Sequence, residues 1–165
     1  MAHSGFVDLG FAKVDIDRQR RRGFSEAVYC RHKTVYQIAA IVSQLLRHRQ
    51  TILFLTKLDK KKFIYLKSRF PSLEYSEIAE IGFFKKKKAR RRAREVLVIC
   101  AGTVDIPFAE EAALTLEIMG NKTRRVYDVG VAGSHRLLHH MKLLKKAGVI
   151  VVVAGMEAAL VSLVS

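Results

Sequence analysis

Val149-Ile-Val-Val-Val-Ala154 is apolar throughout and β-branched at all but its last position, so both faces of this segment need covering. A strand buried on both sides belongs in the middle of a parallel sheet with helices above and below it. The residues before it fit that demand. Residues 95–101 read as a strand, and a helix follows at about 107–119 with Phe108, Ala112, Leu116 and Met119 as one stripe. Gly120-Asn121 ends the helix. Thr123–Val129 reads as a second strand, and Gly130–His135 opens a helix with Leu137, Leu138, Met141 and Leu144 inward. Gly148 stops that helix before Val149–Ala154, and Gly155 begins another. Strand-helix-strand-helix-strand order implies right-handed crossovers. The expected class is α/β: a parallel three-layer sheet of Rossmann or flavodoxin-like type, incomplete at the C-terminus, with an α/β N-terminal region.

In such sheets ligands collect outside the carboxyl ends of the strands. Three loops are expected there: 102–107, 130–135 and 155–157. Each holds a glycine and a chemically active residue: Asp105, His135 with Arg136, and Glu157. Ala101-Gly-Thr-Val-Asp-Ile-Pro-Phe-Ala-Glu-Glu-Ala112 is the clearest of them. Small residues opening a helix present free N–H groups and a positive dipole end to a phosphate, and Pro107 suits a first helical position.

The rest of the chain divides at a charge run. Residues 1–33 read as polar and irregular, and 34–84 as helix, strand, helix. Thr34 caps a helix carrying Val35, Ile38, Ile41, Val42, Leu45 and Leu46; Thr51–Thr56 is a buried strand; Pro71 separates two short helical pieces. The expected organisation is therefore an N-terminal region (1–84), a basic linker (85–94) and a nucleotide-binding domain (95–165). Lys85–Arg94 holds eight positive charges, and without them the net charge of +15 falls to +7. No aromatics interleave the run, so it reads either as a solvated linker or as a weak, salt-sensitive polyanion site. His139 and His140 follow His135 at helical spacing; they read as a metal pair or, lacking a third ligand, as a solvated face. No window reaches about 18 apolar residues, so no membrane span is expected. The absence of an apolar signal core and the unpaired Cys30 and Cys100 lead us to expect a cytoplasmic protein.

These three loops, with Tyr127-Asp-Val-Gly-Val-Ala-Gly-Ser-His-Arg-Leu-Leu138 and Val153-Ala-Gly-Met-Glu157, resemble the LarB-type nickel-pincer cofactor biosynthesis proteins. That family, the pyridinium-3,5-biscarboxylic acid mononucleotide synthases, is related to the aminoimidazole ribonucleotide carboxylases and mutases of purine synthesis. Val14-Asp15, Arg18, Arg21, Gly23-Phe24, Glu26 and Lys33-Thr34 fit its N-terminal pattern. The resemblance implies carboxylation of the pyridinium ring of nicotinate adenine dinucleotide by CO2 or bicarbonate, then hydrolysis releasing AMP. It implies catalytic roles for Asp105 near the ribose or ring, Glu157 in acid–base work, and His135 in proton transfer. Substrate binding falls to Gly102, Thr103, Val104, Gly133, Ser134, Arg136, Gly155 and Met156, with Arg18, Arg21 and Lys33 as anion ligands. It admits Mg2+, expects no tightly bound organic cofactor and no resident metal site, and suggests a homo-oligomer.

Departures bear on competence. Val104 stands where the family has Ser, His32 where it has Gly, and Ser25 where it has Pro; Ala158 and Val161 replace a Gly and a Pro. The family also continues past residue 165 to a cysteine that adds to the ring, and neither Cys30 nor Cys100 matches it. The expectation is a C-terminally truncated member with impaired turnover and an association-prone sheet. The alternatives are an aminoimidazole ribonucleotide carboxylase or mutase, disfavoured by Val14-Asp15 and Arg18, and an inactive nucleotide- or polyanion-binding remnant.

Overall fold

A computed structural model describes residues 5–24, 26–48, 52–85, 95–155 and 157–164. Ser25, Thr51, most of the basic run (86–94) and Met156 lie outside the described residues. The chain forms two compact units, Met1–Lys87 and Lys88–Ser165.

The first unit opens with an antiparallel pair, β1 (Phe6–Asp8) and β2 (Lys13–Asp15), followed by a short helix α1 (Arg18–Arg22). Strand β3 (Ala27–Tyr29) leads to helix α2 (Val35–Arg47), strand β4 (Ile52–Thr56), helix α3 (Lys60–Arg69) and two strands, β5 (Glu74–Ser76) and β6 (Ile81–Lys85). The sheet order is β3-β4-β6-β5, with β3 parallel to β4 and the other pairs antiparallel. Thr34 caps α2 as expected, in a reciprocal box: the Gln37 amide donates to Thr34 Oγ1 at 3.2 Å and the Thr34 amide to Gln37 Oε1 at 2.9 Å. Ile38, Val42 and Leu45 of α2 then pack on Leu53 and Leu55 of β4 and on Leu66 of α3.

Two expectations for this unit are corrected. The described residues of 1–33 are not irregular; they hold β1, β2, α1 and β3. Pro71 separates α3 from a strand pair, not from a second helix. Long-range pairing with β4 overrides local preference there. Phe63 stacks on Tyr75 with ring centroids 4.4 Å apart, and the Tyr75 hydroxyl donates to the Leu58 carbonyl at 2.9 Å. Gly82 passes so close beneath Leu58 that a Cβ would meet its Cδ2 at 2.7 Å.

The second unit is a parallel sheet of order β8-β7-β9, built from β7 (Glu95–Cys100), β8 (Lys122–Val126) and β9 (Val149–Val153). Helix α4 (Ile106–Ile118) joins β7 to β8; α5 (Ser134–Leu138) and α6 (Met141–Lys146) join β8 to β9; α7 (Ala159–Val164) follows. Alternate residues of β7 serve opposite layers. Val98 and Cys100 pack on Ala109 and Ala113 of α4, whereas Leu97 and Ile99 pack with Leu137 and Leu160 from α5 and α7. This is the α/β three-layer arrangement. Helix α4 ends in a Schellman turn: Asn121 donates to the Leu116 carbonyl and Gly120, at φ +91°, to that of Glu117, both at 2.9 Å.

Here too the details shift. Strand β7, not β9, holds the middle of the sheet, and β9 lies at its margin among the described residues. Ala112 and Leu116 of the expected stripe pack beside the buried Ala109 and Ala113 of α4, whereas Phe108 is 54% exposed. The helix expected after His135 breaks at His139-His140, which turns Leu138 outward to 60% exposure. Among the described residues no helix is long and apolar enough to cross a membrane.

Candidate functional site

The carboxyl ends of the three parallel strands are tied together one step past the ladder. Ala101 donates to the Val153 carbonyl at 3.0 Å, Val129 to that of Cys100 at 3.0 Å, and Gly130 to that of Ala101 at 2.8 Å. A Cβ on Gly130 would stand 2.8 Å from the Ala101 oxygen, so this approach needs glycine. The three loops singled out in the sequence therefore start from one sheet edge.

In the first loop Asp105 folds back on its own turn. The Gly102 amide donates to Asp105 Oδ2 at 2.9 Å and the Asp105 amide to the Gly102 carbonyl at 3.1 Å. Thr103 and Val104 form the exposed tip, with Val104 83% exposed. Below them the Cys100 thiol is buried, and that burial pushes its pKa up, with the Asp105 and Asp128 carboxylates acting in the same direction. Cys30 in the first unit is likewise buried and pushed up to about 12. Both thiols are core groups, poor in thiolate.

In the second loop Arg136 pairs with Asp128, a residue in the left-handed region at φ +58°. Its guanidinium lies over Gly133, where a Cβ would meet Nε at 2.6 Å. Arg136 thus braces the loop, while Ser134 and His135 are exposed at the start of α5. Behind the loop Arg125 is clamped by Glu110 and Glu117, with contacts of 2.5–3.2 Å, and Tyr127 donates to Glu110 at 2.9 Å. The Glu117 hydrogen bond raises the Arg125 pKa further, and burial raises that of Tyr127. In the third loop Gly155 is exposed in open space, and Glu157 and Ala158 take left-handed φ of +67° and +44°. Consecutive non-glycine residues in that region are strained, a feature that gathers at functional sites. His139 and His140 meet edge to face at 5.4 Å; among the described residues no group of three or more His, Cys, Asp or Glu is gathered for a metal.

The first unit carries two adjoining open clefts. Asp17 precedes α1, Gly23 stops it at φ +77°, and the turn carries its arginines past the end of β2. Arg18 makes one long contact to Glu26, 3.3 Å, and lies 5.2 Å from the Phe24 ring centroid. Arg21 pairs with Asp15 and approaches Asp17 at 3.7 Å, while Arg20 holds Asp17 through two bonds of 2.8 and 3.0 Å. Lys33 donates to the Tyr29 carbonyl at 2.9 Å. A cleft of about 440 Å³ is walled by Lys13, Asp15, Arg18, Glu26, Tyr29 and Lys33 over an apolar floor that includes Val14, Val28 and Ile41. A second cleft of about 360 Å³ adjoins it, sharing Asp15 and Arg18 and adding Arg21, Arg22 and Phe24. Arg18, Arg21 and Lys33, separate in the sequence, are thus brought to one surface. Lys13 and Tyr29 were missed; alternation along β2 and β3 would have aligned them with Asp15 and Ala27, had strands of three residues been visible.

Residues 6–87 match the LarB/PurE-like N-terminal domain. An uncharacterized protein of Methanocaldococcus jannaschii is 37% identical over 161 residues, a match that covers 93% of this chain and 62% of the relative. The chain therefore spans about three-fifths of the length of the curated relative it matches. Both clefts lie inside the matched domain, and through that domain the chain belongs to the LarB-type, PurE-related family.

Proposed function

We propose that the chain serves nickel-pincer cofactor biosynthesis, acting on nicotinate adenine dinucleotide. A new C–C bond joins the carbon of CO2 to the pyridinium ring as the ring C–H bond breaks and its proton leaves; from bicarbonate the departing hydroxide takes that proton as water. Water then splits the phosphoanhydride to release AMP. Glu157 and His135 are the proton-handling groups, and Asp105 positions the ribose and ring. Exposed backbone at Thr103, Ser134 and Gly155 takes the phosphate side, with Gly102, Gly133 and Arg136 setting the loops that carry it. Mg2+ enters with the phosphates it commonly accompanies. The observation that carries this reading is the gathering of Arg18, Arg21 and Lys33 around the clefts of the LarB/PurE-like domain, a surface made for an anionic ligand. We further propose a cytoplasmic homo-oligomer.

The test is AMP release from nicotinate adenine dinucleotide with bicarbonate and Mg2+. Release by the chain, reduced at least about tenfold in Glu157→Ala, is the expected result, since a positioned proton-transfer group contributes about 10²–10⁴ in rate. Release equal to that of Glu157→Ala would count against it. A second reading, nucleotide binding without turnover, is favoured by Val104: its exposed side chain at the loop tip can neither donate nor accept a hydrogen bond. Dinucleotide binding with no AMP would select it.

A further inference from the structure

Helices α2 and α3 of the first unit each bury one face and share an outer surface. Ile38, Val42 and Leu45 turn α2 to the core, and Leu66 does the same for α3. The other side of α3 carries Lys61, Tyr65 and Arg69 at i, i+4 and i+8, a single row about 12 Å long. On α2 the outward side carries Tyr36 and Arg47 at i and i+11, close to three full turns apart. The two tyrosines meet across the helices, edge to face, with ring centroids 5.7 Å apart. Even so, Tyr36 is 70% exposed and Tyr65 39%. An edge contact fixes a ring while leaving its face to solvent, and such a face accepts an unstacked base.

The charge around these rings has one sign. Neither helix contains an Asp or Glu, whereas the pair holds Arg47, Lys60, Lys61, Lys62, Lys67 and Arg69. Lys60 is held by Glu77, Lys62 by Asp59, and Lys67 by the Pro71 and Leu73 carbonyls. Among the described residues Arg47, Lys61 and Arg69 have no ion pair, and all three are exposed. A merely solvated helix face gains from alternating charge signs. Unopposed cations beside two open aromatic rings instead complement a polyanion with free bases.

We propose that the outer face of α2 and α3 binds single-stranded nucleic acid, with Tyr36 and Tyr65 as the stacking platform and Arg47, Lys61 and Arg69 as phosphate contacts. A double helix fits this face poorly, because its bases are already stacked on one another. None of these residues enters the proposed carboxylation. The rings also set this face apart from Lys85–Arg94, whose run of cations holds no aromatic.

Fluorescence anisotropy of the whole chain with a labelled oligouridylate of about ten nucleotides, within the usual footprint of such sites, tests this. Tyr36→Ala is expected to weaken binding at least about fivefold and Tyr36→Phe to retain it, since stacking needs the ring and not the hydroxyl. Arg69→Gln is expected to flatten the slope of log affinity against log salt by about 0.7, one phosphate contact on a single strand. Lys122→Gln, in the second unit and paired with Glu95, is expected to leave the Tyr36 dependence intact. Inorganic polyphosphate, which has charge but no bases, is expected to bind the wild type and Tyr36→Ala alike. Circular dichroism establishes that each variant is folded. No oligouridylate binding at low salt, or equal affinity in the wild type and Tyr36→Ala, would overturn the proposal. Loss of phosphatidylserine-vesicle binding in Tyr36→Ala, with oligouridylate binding unchanged, would overturn it in favour of a membrane surface.

Discussion

Cys30 has zero exposure, with its thiol directed at the Val28 carbonyl, 3.3 Å away. Burial lifts its pKa to about 12, against an ordinary 9.0, while the charges of Lys33 and Lys62 pull weakly the other way. Between those two values the unfolded chain gives up this proton and the folded chain keeps it. The stabilisation is therefore complete below pH 9 and is lost as pH rises towards 12. We predict that the urea midpoint falls more steeply over that range for the wild type than for Cys30→Ala; parallel slopes would show that the thiol is not held as described. The same burial keeps Cys30 and Cys100 from acting as nucleophiles near neutrality.

Among the elements, α4 owes its clean end to Gly120. At φ +91° this residue lets Asn121 and Gly120 close the last carbonyls of the helix, a conformation in which any Cβ is strained. Gly120→Ala is expected to cost about 1 kcal/mol, read as a shift in denaturant midpoint with an unchanged slope. This terminus was legible in the sequence, as were α2 with its Thr34 cap and the strands β4 and β7, because long periodic runs and terminal signals lie within one segment. Strands β1, β2, β3 and β5 were not: three residues cannot establish a period, and their pairing is decided by distant partners. The Arg18 clefts are built on these short pieces. Their residue types stood out beforehand, but Lys13 and Tyr29, and the contrast between an under-bonded Arg18 and a braced Arg21, needed the fold. The sheet-edge loops were easier to read because the order of strands and helices alone assigns them to one edge.

At the scale of the molecule, each unit has its own core. The first gathers Ile38, Leu45, Leu53, Leu55 and Leu66, all fully buried, around a four-stranded sheet. A unit of this size with such a core can fold alone. Residues 1–87 expressed separately are expected to unfold in one cooperative thermal transition by circular dichroism; a broad, non-cooperative melt would show that the core is insufficient. The second unit carries a cost of another kind. Glycine would accept the left-handed backbone of position 157 without strain, yet the chain keeps a glutamate there, followed by an equally left-handed alanine. Such residues are typically disfavoured by about 1–2 kcal/mol each. Selection for heat tolerance alone would favour glycine at 157, so stability and the proposed chemistry pull this position in opposite directions.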